Sequence, residues 1–235
     1  MRWTAAARVS EVAGSTRPIA VVASSLQNCP KADAPRRAGE PERSEVAMRA
    51  IWLLCLSTIT FSAVADELLW ERLKQEANMV VLMRNAESGG NRDGANMLVW
   101  DASGRCEGES TLTEEGRIHA RRIGASFAKR GIRPVVFSSP MCRCTQTAQL
   151  AFGQYLTDPD LRQRPASDSI GSEAFLARTR ELLKLHRGET PIVFVNHRPN
   201  IDSLTMELLS IGELLVGGIS EDGEVQVFGK IRVDP

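Results

Sequence analysis

The chain has 235 residues, with 29 basic and 29 acidic side chains, so its formal net charge is +0. That balance argues against nucleic acid as a partner. A hydrophobic content of 43% is that of an ordinary globular protein, and the length allows one domain with extra sequence ahead of it.

Residues 1–47 read as that extra sequence. They are rich in Ala, Arg, Ser and Pro, are punctuated by Pro30, Pro35 and Pro41, and hold no sustained period. The reading is a disordered or wrongly translated leader, the other being a basic tail or targeting segment. Residues 48–65 read as a signal peptide. Met48 is a better start, Arg49 is its positive end, Ile51 to Phe61 its short apolar core, and Ala63-Val64-Ala65 its cleavage site. The apolar run is short for a membrane span. The expectation is export to the periplasm or beyond, with a mature start at Asp66 and no stable membrane anchor after cleavage.

Residues 66–235 suffice for one well-buried domain. A helix is expected from Asp66 to Asn78, with Leu68, Leu69, Leu73 and Ala77 on one face. The run Met79 to Arg84 reads as a strand buried on both faces. A long Gly-rich loop follows, from Asn85 to about Ser110. Thr113 or Thr111 caps the next helix, which carries Glu114 and Glu115 in its first turn and ends at Gly131. His119 falls within it and reads as packing or surface.

Val135 to Ser138 is the second strand, and Cys142 to about Phe152 a helix stopped by Gly153. Gln154 to Gly171 reads as irregular. Ser172 is expected to cap a helix ended by His186-Arg187-Gly188, where cations suit the negative helix end. Ile192 to Asn196 is the third strand, and Asn200 to Leu209 a short helix. Leu214 to Val216 and Val225 to Val233 read as closing strands around a Glu221-Asp222-Gly223 turn. Whether they join the main sheet is left open by the sequence.

Three of these stretches share one grammar. Val80 to Met83 ends in Arg84-Asn85-Ala86. Val135 to Phe137 ends in Ser138-Ser139-Pro140 and leads to Arg143. Ile192 to Val195 ends in Asn196-His197. In open α/β sheets ligands sit beyond the carboxyl ends of strands. Neighbouring strands would therefore gather Arg84, Arg143 and His197 into an anion pocket, His197 adding a third cation if protonated. Arginine suits phosphate because its planar fork can bind two oxygens at once.

Together the three stretches resemble the histidine phosphatase superfamily, which includes the cofactor-dependent phosphoglycerate mutases. That family opens with Arg-His-Gly or Arg-His-Ala, continues with Ser-Ser-Pro-x-x-Arg-x-x-x-Thr-Ala, and closes with a second His after a later strand. This chain has Arg84-Asn85-Ala86, then Ser138-Ser139-Pro140 with Arg143 and Thr147-Ala148, then His197. The resemblance covers about Val80 to Ile201. It implies a three-layer α/β/α sandwich with a mostly parallel central sheet. It also implies metal-independent phosphomonoester hydrolysis without a cofactor, on a phosphorylated small molecule or a phosphoprotein. Arg84, Arg143 and His197 would hold the phosphate. Glu87, Ser88 and Asn91 resemble the mutases' Glu-Ser-x-x-Asn, where Ser and Asn line the pocket. The proton donor would be Asp168 or Glu173.

One position departs from the pattern. The family's nucleophile is the first-motif His, and here that residue is Asn85. An amide nitrogen conjugated with its carbonyl is a poor nucleophile, yet it can still donate a hydrogen bond to a phosphate oxygen. Affinity without turnover is the first reading. The others are an engineered or accidental change in an active phosphatase, and slow hydrolysis by water.

Cys106, Cys142 and Cys144 follow the expected cleavage site. In an oxidising compartment Cys106 pairs with Cys142 or Cys144 and one thiol stays free. No zinc-type spacing and no nucleotide-binding glycine fingerprint occurs.

Overall fold

The computed structural model describes residues 65–90 and 97–234. The expected leader, and the signal peptide up to residue 64, lie outside the described residues.

Short apolar runs form a single six-stranded sheet: β1 (Met79–Arg84), β2 (Val135–Ser138), β3 (Leu156–Thr157), β4 (Ile192–Asn196), β5 (Glu213–Ile219) and β6 (Val225–Arg232). Their order is β3-β2-β4-β1-β5-β6. The first four run parallel, whereas β5 is antiparallel to β1 and β6 to β5. Five helices accompany them among the described residues: α1 (65–75), α2 (Glu114–Lys129), α3 (Cys142–Phe152), α4 (Ser169–Leu185) and α5 (Arg198–Thr205).

β1 shows why its sequence is an unbroken apolar run. Successive side chains of a strand point to opposite faces. Met79, Val81 and Met83 enter one core with Trp70 and Leu73 of α1, Ile123 and Phe127 of α2, and Ala148 of α3. Val80 and Leu82 enter the other with Phe175, Leu182 and Leu183 of α4 and Ile201 of α5. The sheet is thus the middle of three layers, and both its faces must be apolar. Each fully buried Leu, Ile or Phe stabilises by about 1.5–3 kcal/mol, so these two cores dominate the fold's stability. Trp70 adds an edge-on contact with Phe127, with centroids 4.9 Å apart.

Several expected boundaries shift for local reasons. α1 stops at residue 75, and Asn78 turns the chain into β1 with φ 59°, its N–H donating to Gly188 O at 2.7 Å. Asn tolerates that left-handed conformation better than most residues. Trp70 and Leu73 are the buried face of α1, while Leu68 is 63% exposed. α4 starts before Ser172, because the Asp168 carboxylate accepts from Gly171 N at 2.9 Å and caps the helix. The stretch 154–171 is not wholly irregular, since it holds β3 and a single 3-10 turn. α5 begins at Arg198 rather than Asn200 and ends at Thr205. The closing strands do join the sheet, on the β1 side. Thr113 caps α2, its Oγ1 accepting from Gly116 N at 3.0 Å.

α2 and α3 approach closely at Gly124. A Cβ built there would lie 2.0 Å from Ala151 O. In an exposed helix Gly→Ala stabilises by up to about 1 kcal/mol. Here the clash reverses the sign. Gly124→Ala is expected to destabilise by about 1–3 kcal/mol, the usual cost of overpacking, measured as a lower urea midpoint at unchanged m.

Candidate functional site

The site is set by where β4 lies. It pairs with β1 on one side and β2 on the other, with Arg84 opposite Asn196 and Ser138 opposite Val195. The residues just past the three strands therefore meet. Asn85 N donates to Asn196 O at 3.0 Å, and Ser139 N donates to Val195 O at 3.0 Å. Asn85, Ser139 and His197 are all buried there.

His197 is locked on both ring nitrogens. Arg143 Nη2 lies 3.0 Å from Nδ1, and Ser139 Oγ lies 2.7 Å from Nε2. A guanidinium can only donate, so Nδ1 must accept, and the ring proton sits on Nε2 and points to Ser139. Burial holds the imidazole well below the ordinary histidine pKa of 6.5, and the positive charges of Arg143 and Arg84 push it the same way. His197 is neutral, which corrects the expectation of a third cation.

Arg143 is fully buried. Besides His197, its Nη2 donates to Met97 O and Gln163 Oε1, both at 2.9 Å. Among the described residues its Nε and Nη1 have no partner, and neither has Nε of Arg84. Arg84 Nη1 donates to Leu209 O at 3.2 Å. Burial lowers the pKa of both arginines from the usual 12.5. An arginine stays protonated even so. Each buried donor left without an acceptor costs about 1–3 kcal/mol, more when charged. Three such atoms at one sheet edge fit an oxyanion.

Other residues hold this geometry. Thr147 Oγ1 accepts from Ala86 N at 3.0 Å and donates to Arg143 O at 2.7 Å, joining the first motif to the second. Asn196 Oδ1 accepts from His197 N and Asn200 Nδ2. The first turn of α3 has no capping side chain of its own. Glu109 serves instead, its Oε2 accepting from Cys142 N at 2.7 Å and its Oε1 from Asp101 N at 2.8 Å. Cys106 is bonded to Cys142 at the same point, with Cα atoms 5.8 Å apart. Closing a loop of this separation stabilises by about 3–4 kcal/mol in the chain-entropy account. Cys144 is buried and free. Burial pushes its thiol up to about 12, so it stays protonated beside the His197 ring and is no stand-in nucleophile.

A cavity of about 640 Å³ opens over this edge, lined among others by Arg84, Asn85, Arg162, His197, Arg198 and Phe175. Asn85 Nδ2 donates to Ala86 O at 2.9 Å. Other expected residues lie elsewhere. Asp168 is held as the α4 cap and 3.6 Å from Arg164, and Glu173 is exposed on α4. Neither lines the cavity, nor does any other carboxylate among the described residues. Ser88 pairs through its backbone with Leu112 and does not line the cavity. Asn91 lies outside the described residues. His119 is a packing residue whose Nε2–H donates to Val233 O at 2.8 Å, and His186 caps α4 against the Phe137 ring. Among the described residues no cluster of His, Cys, Asp and Glu could hold a metal.

Sequence reasoning passed over Arg162, Gln163, Arg198 and Glu109. Arg198 directly follows His197 in the chain, so a signal existed. Glu109 had none, because its partners lie in distant segments.

The class is an α/β domain with two arginines, half-buried Arg84 at the end of β1 and buried Arg143 in the first turn of α3, beyond the carboxyl ends of parallel strands. Residues 80–174 match the sequence model of the histidine phosphatase superfamily (branch 1). No curated protein matches the chain. Among solved structures, the chain is similar to a proposed alpha-ribazole-5'-P phosphatase from Escherichia coli. The identity is 17% and the TM-score 0.50, with 68% of this chain and 100% of that one covered. The protein histidine phosphatase SixA in complex with tungstate is 16% identical, with TM-score 0.46, covering 66% of this chain and 96% of that one. TTHB049 from Thermus thermophilus is 20% identical, with TM-score 0.48, covering 66% of this chain and 99% of that one. The mixed α/β fold is that of the histidine phosphatases.

The neutral His197 has a thermodynamic signature. Its folded pKa lies below the unfolded value of 6.5, so below that pH the unfolded chain takes up a proton that the fold refuses. The stabilising contribution is complete above 6.5 and is lost as pH falls toward the folded pKa. Between pH 6.5 and 5 the unfolding free energy should fall by up to about 1.4 kcal/mol per pH unit from this group. Denaturation of the wild type and His197→Gln across that range checks it, the variant showing a shallower slope.

Proposed function

We propose that this domain binds a phosphomonoester, on a small molecule or a protein, and that Asn85 has removed or greatly reduced its hydrolysis. The observation that carries the reading is the set of unpartnered donors on Arg84 and Arg143 beside Asn85. Arg84 Nε and Arg143 Nε and Nη1 would take phosphate oxygens, and the Asn85 amide would turn from Ala86 O to donate a further hydrogen bond.

His197, neutral, holds the fork of Arg143 rather than adding charge. Ser139 and Thr147 hold His197 and Arg143 in turn. Among the described residues none here offers the lone pair that attacks phosphorus in the family. Cys144 is protonated, and both nitrogens of His197 are engaged. The absence of a lining carboxylate among the described residues agrees with a binding role, since an alcohol leaving group needs a proton.

The restoring substitution tests this reading. The protein should hydrolyse an aryl phosphate very slowly and form no acid-labile phosphoenzyme. Asn85→His should restore both, with a gain of at least ~10³-fold, since a nucleophile contributes several kcal/mol of transition-state stabilisation. A wild type already as fast as the variant would show that Asn85 does not stand at the nucleophile position. An inert variant that still binds phosphate would show that a further catalytic part is missing.

We also propose that residues 48–65 direct export and are removed. A bonded Cys106–Cys142 pair suits an oxidising compartment. Expression from Met48 followed by N-terminal sequencing of the exported product should begin at Asp66, and retention of Met48 would refute the proposal.

A further inference from the structure

One wall of the cavity is a loop that no core holds. Met97 and Leu98 line the cavity, yet no residue from 97 to 109 is buried or joins a hydrophobic cluster. The loop is closed on itself. The Asp101 carboxylate accepts from Ser103 N at 2.9 Å and Glu107 N at 3.0 Å, and Glu109 N donates to Cys106 O at 3.2 Å. Its hydrogen-bond and stacking ties to other described segments are Arg143 Nη2 to Met97 O, Cys142 N to Glu109 Oε2, and the Arg162 guanidinium over the Trp100 ring, 4.7 Å from the centroid.

A covalent tie is added to these. Cys106 is bonded to Cys142, whose N–H is the group that Glu109 caps, and the next residue is Arg143. The bond therefore fixes the loop at the point from which the buried arginine is positioned. Cys106 is held there at φ 66°, in the left-handed region that residues with a Cβ avoid, so the loop relaxes from this shape once released. The bond is open to attack at one sulfur. Cys106 is partly exposed, whereas Cys142 is buried. Burial keeps the Cys144 thiol protonated, so Cys144 supplies no thiolate to attack from within.

Resting on the phosphate reading above, we infer that the Cys106–Cys142 bond is a redox latch on the anion pocket. When a dithiol reduces it, the loop lets go and phosphate affinity falls. A thiolate of the dithiol attacks Cys106 Sγ, the Cys106–Cys142 bond breaks, and Cys142 leaves and takes up a proton. The second thiol then attacks the mixed disulfide, and Cys106 leaves and takes up a proton. The dithiol gives up two electrons and two protons and ends as a disulfide. Glu109 and Met97 are then free to withdraw from Cys142 N and from Arg143, and the first turn of α3 has no capping side chain of its own. Arg143 is less firmly aimed. An anion must then order the site that it meets preorganised in the oxidised chain, and it binds more weakly for that cost.

The test is titration calorimetry of the full chain with inorganic phosphate, before and after reduction by dithiothreitol. The oxidised chain should bind at least ~10-fold tighter, the effect of one charged contact. Cys106→Ser should bind as weakly as the reduced wild type and no longer respond to dithiothreitol. By reciprocity, saturating phosphate should shift the ratio of reduced to oxidised dithiothreitol at half reduction upward by the same factor. Hydrogen exchange locates the change. In the reduced chain the amides of Glu107, Glu109 and Cys142 should exchange faster, while those of β1 and β4 stay protected. Equal affinity in the two redox states overturns the latch. So does loss of protection throughout β1 and β4 on reduction, which would show that the bond serves the whole fold. Failure of the oxidised chain to bind phosphate overturns the underlying phosphate reading instead.

Discussion

A charged guanidinium with no exposure at all sits at the end of three strands, and the surrounding structure is arranged to tolerate it. Arg143 touches no carboxylate among the described residues, and the charge of Glu109 acts on it favourably without contact. Its charge is held by neutral acceptors: the Met97 carbonyl, the Gln163 amide and the Nδ1 lone pair of His197. A buried ion that touches no counter-ion is costly even after relaxation. That cost explains why His197 must be neutral, since a second buried cation at 3.0 Å could not be sustained. It also explains why Ser139 meets the far side of the ring, keeping the proton on Nε2.

The scaffold answers the same constraint. Both cores lock the sheet, so β1, β2 and β4 cannot slide to relieve the charge. The turn after β2 is fastened from three directions. Thr147 ties it to Ala86, Glu109 caps the first turn of α3, and the Cys106–Cys142 bond holds the loop that carries Glu109. Rigid support of this kind keeps the unpaired donors aimed at one point. An anion that binds there meets a preorganised field instead of having to assemble one.

Asn85 changes the meaning of that field more than its shape. The Asn85 side chain is buried at the strand end and makes a local hydrogen bond to Ala86 O. On the proposed reading, affinity rests on Arg84 and Arg143, whereas turnover rests on a nucleophile. The two can be lost separately because they lie in different side chains.

Much of this protein is legible in its residues. The runs ending in Arg84, Ser138 and Asn196 declare three buried strands, and Thr113, Gly131 and Gly153 mark helix ends, because periodicity and capping are local. The motif around Arg84, Arg143 and His197 declares the site for the same reason. Other properties depend on what comes together from afar. The sequence shows a histidine that could be charged, and only its burial against Arg143 makes it neutral. It offers Asp168 and Glu173 as acids, and only the fold turns one into a helix cap and leaves the other in solvent. It leaves two partners open for Cys106, and only the start of α3 separates Cys142, beside the loop, from Cys144, beneath the histidine. Protonation, pairing and access depend on distances between segments far apart in the chain, and no local pattern carries that information.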